Sequence, residues 1–194
     1  MGTSKAGFTH LALLEKDGDS CAALRANHSQ FKGNGDVLES RVEETTFKQF
    51  EGRIHLLAGG PPCQPFSIGG KHLGFNDSRD MFPQAARALL EARPEAFIFE
   101  NVRGLLRKSF EKYFSFVLLR LTYPELVRKH NEDWLTHLAR LERHHTQGGV
   151  GELRYRVLFR LLNAADYGVP QKRERVFMVG FRSDIQEPWS FPAP

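Results

Sequence analysis

The segment that most constrains the fold is a short apolar run followed at once by a cysteine between prolines. Residues 54–58 (IHLLA) predict a buried parallel strand, and residues 59–67 (GGPPCQPFS) predict a sharply turned loop at its carboxyl end. In open α/β sheets, ligands bind outside the carboxyl ends of the strands, so Cys63 is expected to face a site. The alternative is that Cys63 is a buried, unreactive cysteine, which is the usual state of a free cysteine in a protein. Prolines on both sides fix the backbone around this thiol, which favours a nucleophile.

A second apolar run, residues 96–99 (AFIF), predicts another buried strand that ends in Glu100 and Asn101. If the two strands are parallel and adjacent, Cys63 and Glu100 lie at the same rim of the sheet. A thiol and an acid that can be protonated would then meet at one place. On local evidence alone, Glu100 is equally well explained as a surface acid at a strand end.

Length and composition favour one domain over residues 1–187, with a proline-rich linker beginning at 188–194. The chain has 194 residues, 41% of them hydrophobic, which is enough for one substantial core. The net charge of +4 permits a phosphate-rich partner without requiring one. Two cysteines are too few for a disulfide framework or a zinc site, and no signal peptide or membrane span is visible. We therefore expect a reducing, cytoplasmic setting.

The first forty residues predict the middle of a dinucleotide-type fold. A helix tail closing at Gly7 precedes a strand at 9–14, and Glu15 stands at its end, where such folds place the acid that binds ribose hydroxyls. A solvated strand-end acid is the alternative. Residues 20–27 predict a helix, and residues 33–37 predict a loop that presents Asp36, either as a ligand or as a turn former.

The rest of the chain alternates helices with strands. Helical patterns cover 81–92 and 109–145, and strands are predicted at 155–162 and 175–180. Arg173 and Arg175 are two residues apart at the start of the last strand, so their side chains would point to the same face of the sheet. Their side chains suit carbonyl or phosphate oxygens, although a short basic cluster is more commonly a solvated face.

Three motifs in this order resemble those of the DNA cytosine-5 methyltransferases: PPCQ at 61–64, ENV at 100–102 and QKRER at 171–175. Each motif alone is weak, but the three together are specific. The resemblance implies an α/β, Rossmann-like fold that uses S-adenosylmethionine. It also implies that the first strand, its glycine turn and a target-recognition domain would lie outside this chain, leaving the catalytic domain truncated at both ends.

The resemblance also implies a role for each matching residue. Cys63 would add to C6 of cytosine, Glu100 would meet N3, and Arg173 and Arg175 would hold O2 and nearby acidic groups. The cofactor would be held by Glu15 at the ribose, by Asp36 at the adenine and by Pro61. Substrate and loop contacts would come from Gln64, Ser67 and Asn101. The target base would be flipped out of the duplex, and the loop at 66–75 would close over it. No metal is implied.

The expected partner is double-stranded DNA in a restriction-modification system of a bacterial or archaeal cell, and a second expected partner is a separate chain that supplies target recognition. Two alternatives remain open at the level of sequence. The chain could be an inactive or split fragment that binds DNA or a partner methyltransferase. It could instead methylate cytosine in transfer RNA, as some close relatives in this family do.

Overall fold

The computed structural model describes residues 2–27, 29, 33, 35–62, 80–149 and 151–194. It contains two compact units, Met1–Gln49 and Phe50–Pro194. Cys63, Gln64, Ser67 and the rest of the loop at 66–75 lie outside the described residues.

The first unit is built around two parallel strands and a helix. Its elements in chain order are α1 (Gly2–Lys5), β1 (Ala12–Glu15), α2 (Gly18–Ala26) and β2 (Asp36–Glu39). Asp17 caps α2 by accepting a hydrogen bond from the backbone N–H of Ser20 at 2.8 Å, and this bond lowers the pKa of the Asp17 carboxyl. The helix predicted at 20–27 is confirmed as α2. The strand predicted at 9–14 is observed as β1, which covers only the carboxyl-terminal part of that range and extends to Glu15.

The prediction that a loop at 33–37 presents Asp36 is wrong, because Asp36 is the first residue of β2. In the parallel ladder, Ala12 lies opposite Asp36 and Glu15 lies opposite Glu39. The glycine before β2 allows this close approach: a Cβ at Gly35 would lie 2.5 Å from the carbonyl oxygen of His10. A four-residue strand with an acid at each end carries little of the hydrophobic pattern that identifies strands in a sequence.

The second unit contains a four-stranded sheet with helices between its strands. Its elements are β3 (Leu56–Gly59), α3 (Phe82–Ala92), β4 (Ala96–Val102), α4 (Glu111–Thr122), α5 (Trp134–Thr146), β5 (Tyr155–Asn163) and β6 (Glu174–Arg182). The strand order is β3-β4-β6-β5. β3 and β4 are parallel and adjacent, which is the arrangement that the shared rim of Cys63 and Glu100 requires, whereas β6 runs antiparallel to both β4 and β5.

The core of this unit joins α3 and α4 to the sheet. Phe97 of β4 is fully buried, stacks on Phe99 and meets the ring of Tyr155 edge to face. Gly180 of β6 lies opposite Phe97, and a Cβ there would collide with the Phe97 ring. The other core residues come mainly from one side of each helix, including Leu89, Tyr113, Val117 and Leu121.

The continuous helical pattern predicted over 109–145 is interrupted. α4 ends at Thr122, just before Tyr123 and Pro124, because a proline disfavours the helical conformation of the residue before it. Arg120 donates hydrogen bonds to the carbonyl oxygens of Tyr123 and Leu126, at 3.3 and 2.7 Å. Its burial lowers the pKa of Arg120 to about 10. Side-chain bonds to carbonyl oxygens thus replace helical bonds before α5 begins.

The carboxyl-terminal residues 187–192 lie against β5 and β6. Trp189 packs between the rings of Phe181 and Phe191, and Arg156 donates to the carbonyl oxygen of Glu187 at 2.9 Å. Across the described part of the chain, no helix combines the length and hydropathy needed to cross a membrane. The same residues hold no cluster of side chains suited to a metal ion.

Candidate active site

The carboxyl ends of β3 and β4 bring Pro61 and Asn101 together. The strands are in register from Leu56 opposite Ala96 to Gly59 opposite Phe99, so the residues that follow each strand are neighbours. Asn101 is 5% exposed. Its Nδ2 donates to the carbonyl oxygen of Pro61 at 2.9 Å, and its Oδ1 accepts from the N–H of Val102 at 2.8 Å. Asn101 therefore ties the chain two residues before Cys63 to the end of β4.

Glu100 and Arg175 form an ion pair at the same edge of the sheet. Arg175 Nε lies 2.7 Å from Glu100 Oε1, and both side chains are partly exposed. Arg175 lies opposite Val102 in the ladder, so its side chain is on the same face as those of Val102 and Glu100. Arg175 Nη1 also donates to the carbonyl oxygen of Glu174 at 2.9 Å. Two bonds thus fix the guanidinium against the carboxylate.

Arg173 lies just outside β6, so the prediction that both arginines begin a strand holds only for Arg175. The backbone of Arg173 is nevertheless fixed: its N–H donates to Asn163 Oδ1 at 3.1 Å, and its carbonyl oxygen accepts from Ala164 at 3.0 Å. No carboxylate among the described residues pairs with its exposed guanidinium. That group is available to an anionic or carbonyl ligand.

Sequence reasoning missed a second ion pair across the same ladder. Arg103 Nη1 lies 2.6 Å from Glu174 Oε2, with both side chains exposed. The two residues adjoin Val102 and Arg175, which face each other, so this pair is next to the pair formed by Glu100. The position of Glu174 between two arginines was the one sequence feature that indicated an ion pair here. Its partner, Arg103, is 71 residues away in sequence, so the pair could not be recognised.

In the first unit, Glu15 is oriented at the carboxyl end of β1. Its Oε1 accepts from the backbone N–H groups of Lys16 and Asp17, at 2.8 and 2.9 Å. No described residue donates to Oε2. A carboxylate held this way at a strand end fits the ribose hydroxyls of an adenosyl cofactor.

Asp36 is not at the end of the sheet where Glu15 lies. It pairs with Ala12, three residues or about 10 Å from Glu15 along the strands. The acid opposite Glu15 is Glu39, which sequence reasoning missed and which pairs with Arg25 at 2.9 Å. Its strand, β2, was itself missed, so its position beside Glu15 could not be deduced.

Comparison with known proteins identifies the family. The sequence model of the family described as C-5 cytosine-specific DNA methylase matches residues 1–123 and 136–193. The chain belongs to this family. Its α/β fold, with parallel strands in both units, is that of a Rossmann-like methyltransferase.

Curated relatives of this chain share about a third of its residues. It is 36% identical to the Type II methyltransferase M.NgoMIV of Neisseria gonorrhoeae, over 100% of this chain and 51% of that protein. It is 32% identical to the Type II methyltransferase M.AquIA of Picosynechococcus sp., over 100% of this chain and 71% of that protein. The chain thus spans about half the length of the first of these relatives.

A solved structure shares the fold. The crystal structure of a candidate DNA modification methyltransferase from an E. coli prophage superposes with a TM-score of 0.63 at 22% identity. The match covers 97% of this chain and 44% of that one.

Proposed function

We propose that the chain is the catalytic domain, over residues 1–187, of a DNA cytosine-5 methyltransferase from a type II restriction-modification system. The observation that carries this proposal is the Glu100–Arg175 pair beside the Pro61–Asn101 bond, at one edge of the sheet. The curated relatives are named Type II methyltransferases, which favours DNA over transfer RNA as the substrate.

Cys63 supplies the nucleophile in this mechanism. C5 of cytosine is too electron-poor to attack a methyl group unaided. The Cys63 thiolate forms a bond to C6, and the electron pair of the C5–C6 double bond moves to C5, which becomes nucleophilic. After C5 gains the methyl group, a water molecule takes the C5 proton, the electron pair of that C–H bond restores the double bond, and the sulfur leaves C6 as a thiolate.

Glu100 and Arg175 act on N3 and O2 of the cytosine ring, across the ring from the C5–C6 bond. As sulfur adds, negative charge develops on N3 and O2. A Glu100 carboxyl that has taken up a proton from solvent donates it to N3 and offsets the first, and the Arg175 guanidinium donates to O2. Before substrate arrives, the ion pair keeps the two side chains together at this place. Arg173 adds a second fixed cation at this edge.

The first unit supplies two of the proposed cofactor contacts, Glu15 and Asp36. S-adenosylmethionine, when bound, provides an electrophilic methyl group on a sulfonium. The oriented carboxylate of Glu15 holds the ribose hydroxyls. Asp36, about 10 Å from Glu15 along the strands, is proposed to meet the adenine end of the cofactor, and Pro61 of the second unit is proposed as a further contact. Gln64, Ser67 and Asn101 bind the substrate or position the loop around Cys63.

Base flipping gives this site access to C5. The target cytosine in a duplex is stacked, and rotating it out costs a few kcal/mol of unstacking. The loop at 66–75 closes over the flipped base. The reaction takes place in the cytoplasm, and a separate chain that supplies target recognition is the proposed protein partner.

The test is covalent trapping. The purified chain is incubated with S-adenosylmethionine and a random-sequence duplex library containing 5-fluorocytosine, whose fluorine cannot leave as a proton does. We expect a denaturation-resistant protein–DNA band that is absent with Cys63→Ser. DNA binding by both proteins without an adduct would instead support the noncatalytic alternative.

A further inference from the structure

A set of exposed cations surrounds the edge of the sheet that carries Glu100 and Arg175. One group follows β4 directly: Arg103, Arg107, Lys108 and Lys112. The other precedes β6: Lys172 and Arg173. Because β6 is antiparallel to β4, the start of β6 lies beside the end of β4. We call these six residues the basic rim.

The segment that carries most of the rim is fixed to the core. Two short 3-10 turns, Arg103–Leu106 and Lys108–Phe110, follow β4. Leu105 is fully buried and Phe110 nearly so, and both belong to the core cluster. The exposed cations therefore project from a rigid backbone, so binding to them costs little conformational entropy of the chain.

The rim carries more positive than negative charge. The acids along it are Glu111, Asp166 and Glu174, and Glu174 is already paired with Arg103. Among the described residues, no carboxylate pairs with Arg107, Lys108, Lys112, Lys172 or Arg173. Solvated cations of this kind contribute little to folding, but they suit a polyanion.

We propose that the basic rim binds the phosphate backbone of duplex DNA beside the flipped cytosine. This inference rests on the proposed function, which places the target base at the Glu100–Arg175 pair. Duplex DNA carries one negative charge per about 1.7 Å of its axis, so phosphates necessarily surround a base held at this edge. Contacts to phosphates position the duplex without reading its sequence, and exposed lysine and arginine side chains are the residues that make them.

The experiment compares two variants with equal loss of charge. Arg107→Gln/Lys108→Gln removes two rim cations. Lys129→Gln/Arg143→Gln removes two exposed cations beyond the other end of α4, which is about 18 Å long. Binding of each protein to a fluorescent 30-base-pair duplex is measured by anisotropy from 50 to 300 mM NaCl. Thermal melts confirm that both variants remain folded.

We expect the rim variant to bind about tenfold or more weakly at 100 mM NaCl. The slope of its log K against log[NaCl] should fall in magnitude by about 2, one for each lost phosphate contact. The control should bind like the unsubstituted chain. Equal weakening of both variants, no weakening of the rim variant, or no binding by the unsubstituted chain would each overturn the proposal.

Covalent trapping separates this inference from the proposed function. If the Cys63-dependent adduct forms and the rim variant binds normally, the rim proposal is wrong and the chemistry stands. If the rim variant alone loses affinity and no adduct forms, the rim proposal is right and the proposed chemistry is wrong.

Discussion

At the scale of single residues, the fixed fork of Arg175 should matter more than its charge. Its Nε binds Glu100 and its Nη1 binds the carbonyl oxygen of Glu174, a geometry that a lysine ammonium cannot reproduce. We expect Arg175→Lys to slow trapping by about 10- to 100-fold, the loss of one charged hydrogen bond in the transition state. The control, Arg160→Lys, alters an exposed arginine of the same sheet. Trapping by Arg175→Lys at the rate of the unsubstituted chain would contradict this role.

Asn101 is predicted to depend on its amide nitrogen. Asn101→Asp keeps the acceptor for Val102 but removes the donor to Pro61 and places a charge in a buried position. We expect a loss of about 1–3 kcal/mol in the free energy of unfolding, measured by urea titration.

A matched control for this variant is Asn163→Asp. Within the described part of the chain, Asn163 bonds only through its oxygen, which accepts from the N–H groups of Ala165 and Arg173. Aspartate preserves both bonds, so the stability should change little. Equal effects of the two substitutions would show that the Pro61 bond contributes nothing.

At the scale of elements, the connection between α4 and α5 is stabilised by an ion pair that titrates. Arg140 donates to both carboxylate oxygens of Glu132 at 2.8 Å, and this lowers the pKa of Glu132 to about 2. An ordinary glutamate titrates near 4.3, so the pair stabilises the fold above that pH. The contribution is lost as pH falls from about 4.3 towards 2.

Glu132→Gln tests this linkage. We expect it to lower stability by about 1–2 kcal/mol at pH 7 and to have a shrinking effect below pH 4, measured by urea titration across pH. Glu142→Gln, on an exposed position of α5, is the control. A difference from the unsubstituted chain that stays constant from pH 7 to 3 would refute the linkage.

Some of the helices and strands could be predicted from the sequence, and others could not. β3 and β4 were predictable because continuous apolar runs identify strands buried in a parallel sheet. β2 was not, since a short strand with acidic ends lacks that pattern. The end of α4 was readable from Pro124, whereas the bonds from Arg120 to carbonyl oxygens that hold the connection before α5 are not encoded in helical periodicity.

The candidate site likewise has features that the sequence predicts and features that it does not. The sequence placed Cys63 and Glu100 on neighbouring strand ends, and the parallel pairing of β3 and β4 confirms that arrangement of the strands. The pairing of Arg103 with Glu174 could not be predicted, because it requires β6 to run antiparallel beside β4. Residue identity therefore locates the chemistry, whereas strand direction decides which charges meet.

At the scale of the whole molecule, burial is unevenly divided between the two units. In the described part of the chain, the buried apolar residues of the first unit are Cys21 and Phe47, whereas the second unit holds the continuous core. Every residue of β1 is only partly buried. Segments with few buried apolar contacts open locally at low free energy. We therefore expect backbone amides of β1 and β2 to exchange with deuterium faster than those of β4 and β6.

Cofactor binding should reverse part of that difference, because a ligand that binds only the closed form stabilises it by mass action. At 100 times the Kd, S-adenosylmethionine should slow exchange in β1 by about 100-fold, which corresponds to about 2.7 kcal/mol. Glu15→Gln keeps an oxygen for the Lys16 and Asp17 N–H groups but loses the carboxylate, so its protection should be much smaller at the same cofactor concentration. Asp19→Asn, an exposed acid in the first turn of α2, is the control. Equal protection of β1 in Glu15→Gln and in the unsubstituted chain would mean that the cofactor is held without this carboxylate, and the ribose contact would have to be assigned to another group.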